Sequence, residues 1–249
     1  MSVSLIILII LAVFIGALSR ATFGFGEAVV SMPLLALLSI DLYTSIALIG
    51  LVGLTVALFT VVSEWHHVER QALLRLIIGA LAGIPVGIVL VVELPDTLIT
   101  IALGIFLILY GTYSFGKSLV HNTLTTERLK AKFWSLPVGF ISGVLGSAYN
   151  THGVPVVVYG TVRRWEPQRF RGTLQAHFLI TGALIVAGQA LGGLWSKDVF
   201  VLYGYSFPTL LLAVWLGIFI QRRIPNERFI RYVFLLLTLL GALLLLTSI

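Results

Sequence analysis

Arg20 is the one Lys or Arg set inside an apolar segment of this 249-residue chain, and Glu27 follows seven positions later. A guanidinium offers five N–H donors in a planar fork that matches a sulfonate, sulfite or carboxylate oxyanion. Holding it among apolar residues costs several kcal/mol, so it is either an anion site, a partner for Glu27, or a group that snorkels to a lipid headgroup. Glu27 in turn suits a proton, a cation or that same pair. Asn150, Thr151 and His152 place amide, hydroxyl and imidazole groups side by side, to hold a ligand or to satisfy loose backbone. Histidine is the side chain that ordinarily titrates nearest neutral pH. Gln175 and His177 lie two residues apart and so on different faces of a helix, where His177 serves as a hydrogen-bonded interior group or as a ligand. His66 and His67 stand beside Arg70 in a polar stretch and read as solvated. With no cysteine and no acidic cluster, the chain is expected to hold no metal and no cofactor.

Membrane helices must position these residues. The chain is 59% hydrophobic and 10% charged, against about 25% charged in an ordinary soluble domain. So few charges cannot cover a surface in water, so lipid must solvate most of the exterior. A net charge of +6 then asks for an orientation test before any nucleic-acid reading, and no nucleic-acid partner is expected. Runs long enough to cross about 30 Å of hydrocarbon fall at 42–62, 72–92, 97–115, 172–195, 200–220 and 229–247, six spans in all. Two more apolar regions, 3–38 and 133–159, are interrupted near the middle, by residues 19–27 and 146–153. They read as hairpins with non-helical tips. Irregular backbone at membrane depth survives only where protein or a wet cavity satisfies it, so both tips are expected to face the interior. No basic residue precedes Leu5, so the first helix is expected to stay rather than be cleaved as a signal peptide.

Fourteen of the sixteen basic residues lie in or beside four connections: Arg70 and Arg75; Lys117, Arg128, Lys130 and Lys132; Arg163, Arg164, Arg169 and Arg171; and Arg222, Arg223, Arg228 and Arg231. By the positive-inside rule these are cytoplasmic. The other connections carry Asp41, Glu93, Asp96, Asp198 and only Lys197, and belong outside. Sides alternate without conflict if each hairpin returns to the side it came from, which leaves both termini outside. Tyr110, Tyr113, Trp134 and Trp165 read as interface anchors or packing residues.

The chain also repeats itself. Gly87-Ile88 leading to Leu94-Pro95-Asp96 reads like Gly217-Ile218 leading to Ile224-Pro225-Asn226, at an offset of 130 positions that Gly111 and Gly241 share. Ser31-Met32-Pro33 and Gly153-Val154-Pro155 follow the two tips. The sequence therefore predicts an all-α polytopic membrane protein of two inverted-topology repeats, 1–117 and 132–249, joined by a cytoplasmic linker at 118–131. Each repeat is a broken helical hairpin plus three transmembrane helices. Inverted repeats with broken helices are an arrangement of secondary transporters, with substrate held between the halves.

The stretch Ser19-Arg20-Ala21-Thr22-Phe23-Gly24-Phe25-Gly26 leading to Ser31-Met32-Pro33, with Gly139-Phe140-Ile141-Ser142-Gly143-Val144-Leu145-Gly146 leading to Gly153-Val154-Pro155, resembles the paired glycine-rich signatures of the sulfite exporter TauE/SafE family. The resemblance runs over nearly the whole chain. It implies a carrier in a bacterial inner membrane for small organic or sulfur-containing anions of the sulfite, sulfonate or sulfoacetate type, working in the export direction. This chain departs from the family pattern: Arg20, Phe23, Phe25 and Glu27 stand where a glycine run is usual, which narrows and re-charges the site.

The expected function is thus a secondary transporter working by alternating access, not an enzyme, with Arg20, Glu27, Asn150, Thr151, His152, Gln175 and His177 as substrate-binding candidates. Its partners are the anion, the bilayer, a coupling proton or cation, and a further copy of itself in a homo-oligomer. An anion channel on the same hairpins and an integral-membrane lipid-modifying enzyme are the alternatives; no acid pair, Ser/His/Asp set or metal-ligand spacing supports the enzyme. No phosphate-binding Gly-x4-Gly-Lys-Ser/Thr loop is present, so this chain does not drive transport with ATP itself. Since the chain lacks cysteine, single cysteines at His67 and Lys197 test the sidedness. A membrane-impermeant maleimide is expected to label position 197 in intact cells and position 67 only after permeabilisation; the reverse pattern would invert the topology.

Overall fold

A computed structural model describes residues 2–61, 65–95 and 132–221 continuously, with runs of one to three residues between 97 and 116 and between 223 and 246. The expected linker at 118–131 lies outside the described residues, as do parts of the expected spans 97–115 and 229–247. Among the described residues there is no strand. The helices are α1 (Val3–Phe23), α2 (Glu27–Leu37), α3 (Leu42–Val61), α4 (Arg70–Glu93), α5 (Ser135–Tyr149), α6 (Gly153–Val162), α7 (Pro167–Leu191) and α8 (Lys197–Gln221).

Local chemistry sets their ends. The Ser2 hydroxyl accepts the Leu5 N–H and caps α1, and the Asp41 carboxylate accepts the Thr44 N–H at 2.9 Å to start α3. Pro167 begins α7, where its missing N–H and fixed φ suit a first turn. Gly24, at φ 84°, ends α1, and Gly26, at φ 102°, precedes α2, so the first tip needs two left-handed residues in three. Asn150, at φ 56°, ends α5 in the same left-handed way, one of the few side chains that tolerate it.

Helices α1, α3, α4, α7 and α8 are long and apolar enough to cross a membrane. Four of them coincide with expected spans. The addition is α1: its 21 residues extend about 31 Å, whereas α2, α5 and α6, with 11, 15 and 10, extend about 16, 22 and 15 Å. The first interruption is thus not near the middle, as the sequence suggested. The helix runs through Ser19 to Phe23 because those residues accept helical angles, and it breaks where the glycines are. The second break falls within the expected residues 146–153 but is shorter: the helix runs on to Tyr149 and the next begins at Gly153.

Exposed Leu74, Ile78, Leu81 and Val89 on α4 and Phe200, Val201 and Trp215 on α8 give the bundle an apolar exterior. Within it, α3 is the most enclosed of the span-length helices. Glycines bring α4 and α5 together: a Cβ at Gly83 would sit 2.1 Å from the Phe140 carbonyl oxygen, and one at Gly143 2.3 Å from that of Ala80. Gly79, Gly83 and Gly87 on α4 and Gly139 and Gly143 on α5 recur every four residues, a spacing that allows backbones in lipid to make van der Waals contact. Gly241 meets Gly104 in the same manner.

The packed pairs exchange when the two halves are swapped. α1 packs on α8 as α5 does on α4; α3 packs on α8 as α7 does on α4; each hairpin packs on the first long helix of its own half; and α3 packs on α7. This mutual embrace sets each hairpin against the opposite half and brings both tips to the α3–α7 contact.

Candidate functional site

Arg20 occupies the last turn of α1 and Glu27 the first residue of α2, so each charge complements the helix end it sits on. Both are buried, and Arg20 Nη1 donates to Glu27 Oε1 in an ion pair across the tip. Gly53 of α3 gives that pair its space: a Cβ there would lie 2.1 Å from Glu27 Oε1 and 2.8 Å from Arg20 Nη1. The other guanidinium face lies over the Phe178 ring, 4.1 Å from its centroid, a cation–π contact from α7. Arg20 Nε and Nη2 and Glu27 Oε2 have no hydrogen-bond partner.

At the second tip the Asn150 amide donates to the Ile46 carbonyl on α3 at 2.7 Å and accepts from Gln189 on α7 at 3.1 Å. The Thr151 hydroxyl donates to the Leu145 carbonyl at 3.2 Å. His152 is buried with neither ring nitrogen partnered, its ring set edgewise on Phe178 at 4.7 Å and 6.0 Å from the ring of His177.

A cavity joins the tips. It is lined by Arg20, Phe25, Glu27, Asn150, Thr151 and Phe178, together with the backbone of the first turns of α2 and α6. Neither of those helices has a side-chain cap; in α6 the Val154 N–H donates to the Thr151 carbonyl at 3.1 Å and Pro155 has no N–H, so the backbone donors that can join the guanidinium are those of the first turn of α2 and of Gly153. The site is therefore rich in hydrogen-bond donors, with one carboxylate already engaged by the arginine. Its free volume is about 10 Å³, room for about one water. Loading anything larger requires the tips to part.

Of the sequence candidates, Arg20, Glu27, Asn150 and Thr151 line this cavity, and His152 lies next to it behind Phe178. Gln175 and His177 do other work. Gln175 accepts from the Thr60 hydroxyl at 2.9 Å and donates to the Gly24 carbonyl at 3.4 Å, which ties the first tip to α3 and α7. His177 Nε2 donates to the Ser142 hydroxyl at 2.8 Å, the serine donating in turn to the His152 carbonyl at 2.6 Å; Nδ1 meets the Thr181 hydroxyl at 3.2 Å. Both residues brace the tips rather than line the space between them. Phe178, Gln189 and Gly53 are the residues the sequence reading passed over. Gln189, a polar residue within an apolar helix, was open to the argument that singled out Gln175. Nothing in the spacing marks Phe178 or Gly53.

The bracing repeats across the halves. Ile46 and Gln175, 129 positions apart, each hold the left-handed residue that ends the opposite half's hairpin helix, Asn150 and Gly24. Gly53 and Gly182, also 129 apart, face Glu27 and His152.

The family model described as sulfite exporter TauE/SafE matches residues 8–245. No curated protein and no solved structure matches the chain.

A methyl at position 53 is expected to force the ion pair apart, and breaking a buried pair costs about 3–5 kcal/mol. Gly53→Ala should therefore lower the thermal midpoint of the detergent-solubilised protein clearly. Gly204→Ala, where a Cβ meets nothing within 4 Å, should leave the midpoint in place. Equal midpoints for the two variants would show that the pair does not depend on the space Gly53 leaves.

Proposed function

The chain belongs to the sulfite exporter TauE/SafE family of integral membrane transporters, and from that premise we propose that it is a secondary carrier of small sulfur-containing or organic oxyanions, bound between the two hairpin tips. One observation carries the reading: a buried arginine with two unpartnered nitrogens stands in a cavity walled by both tips and by two uncapped helix N-termini. A sulfonate or sulfite group has three oxygens to receive such donors. Arg20 neutralises the anion, helix N-termini and tip N–H groups bind its remaining oxygens, and Asn150 and Thr151 orient it, with His152 behind Phe178 next to the space.

The narrowness of the cavity favours a carrier over a channel. A pore keeps a continuous path, whereas a space of about 10 Å³ must be remade for every ion that passes. The exchange of packed pairs between halves supports the inverted repeat, with residues 1–117 and 132–249 as the two bodies that rock about the α3–α7 contact and expose the tips to each side in turn. The bacterial inner membrane is the location this reading assigns, export from a cell that accumulates the anion is the direction, and both termini lie outside.

A thermal-shift series with sulfite, sulfate, thiosulfate, ethanesulfonate, sulfoacetate and carboxylates tests the reading, because a ligand held only by the folded state raises its midpoint. A sulfur oxyanion is expected to raise it in a concentration-dependent way. Arg20→Ala should weaken that ligand about 10- to 100-fold, as the loss of a charge-assisted bond of about 1.5–3 kcal/mol requires. An undiminished shift in a folded Arg20→Ala protein would remove Arg20 from the site, and no shift with any member would argue against an oxyanion substrate.

A further inference from the structure

We infer that Glu27 carries a proton together with the anion, so that the protein moves a monovalent oxyanion and one proton in the same direction without moving net charge. The inference rests on the transporter reading and adds its coupling. Arg20 already donates to Glu27, and the two are the charged side chains that line the cavity. An anion that takes the guanidinium must share this space with the carboxylate. Two negative charges and one positive would then be enclosed, and a buried unpaired charge costs several kcal/mol. Only a protonated Glu27 leaves the loaded site neutral. After release, Glu27 gives up its proton, returns to Arg20, and the site is neutral again.

The surroundings leave this task to Glu27. Oε2 has no partner, so one carboxylate oxygen is ready to hold the proton while Oε1 leaves the arginine. Among the described residues, α1 presents Arg20 to Glu27, and α3 presents Gly53, which carries no charge. From the second tip and α7 the titratable groups nearby are His152 and His177. His177 has both ring nitrogens engaged, and His152, which does not line the cavity, packs on the Phe178 ring that Arg20 also faces. α2 begins at Glu27 and carries no other charge.

The neutral cycle has a consequence for direction. Membrane potential does not act on it, so the anion leaves the cell whenever its outward concentration ratio exceeds the inward proton ratio. Export then needs an internal source of the anion rather than a separate energy supply.

The test uses the purified full chain in proteoliposomes with labelled ethanesulfonate, which carries one negative charge at every working pH. Wild-type protein is expected to exchange internal for external ethanesulfonate. With the voltage clamped, a one-unit gradient, alkaline inside, should drive accumulation approaching tenfold, because each anion carries one proton. A potassium–valinomycin potential at equal pH should drive none. Binding to the wild type should weaken as pH rises, whereas Glu27→Gln, which keeps the shape of the protonated acid, should bind with one affinity across the range and not accumulate in response to the gradient. Accumulation driven by potential, or by the pH gradient in Glu27→Gln, would overturn the coupling while leaving the carrier standing. Failure of the wild type to exchange would overturn the transporter reading and the coupling with it. Should Glu27→Gln not fold, the two wild-type gradients decide the question alone.

Discussion

A guanidinium and a carboxylate placed in the interior of an apolar bundle are the demand the rest of the structure answers. Each charge alone would cost several kcal/mol there. The bundle brings them together by breaking a helix between them, so that Arg20 ends one segment and Glu27 begins the next with each on the helix terminus of opposite sign. The break demands residues that accept left-handed angles, which Gly24 and Gly26 supply. A glycine on α3 then clears the space, and an aromatic ring on α7 covers the guanidinium. Three consecutive helices, α1, α2 and α3, and the distant α7 thus converge on one ion pair.

The same device, without the charges, stands in the other half. α5 ends on a left-handed Asn150, α6 starts uncapped, and the tip is tied to α3 through Ile46 and to α7 through Gln189. The two long helices α3 and α7 therefore act as a shared frame on which both tips are pinned from opposite halves. The asymmetry is chemical: the first tip holds the charges, and the second holds neutral donors.

Much of this was legible in the sequence, for physical reasons that can be named. Arg20 and Glu27 stand out because charge in an apolar run is expensive, and Asn150 to His152 because polar residues interrupt an apolar segment. Four long spans were legible from length alone. Helix ends were less so: Ser19 to Phe23 read as part of the break, but only positive φ stops a helix there, and that requirement falls on the glycines. The work of Gln175 and His177 was hidden because their partners, Thr60 and Gly24 for one and Ser142 for the other, come from distant parts of the chain. Phe178 was hidden for a different reason. A phenylalanine in an apolar helix looks like packing until the arginine beneath it is placed.

The most direct measurement of the central claim is the position of a bound sulfonate. A structure of the protein with 2-bromoethanesulfonate, in which bromine marks the ligand by its anomalous signal, should place the sulfonate oxygens on Arg20 and the first turns of α2 and α6, with Glu27 moved off the guanidinium. A ligand bound elsewhere with the Arg20–Glu27 pair intact would contradict the account.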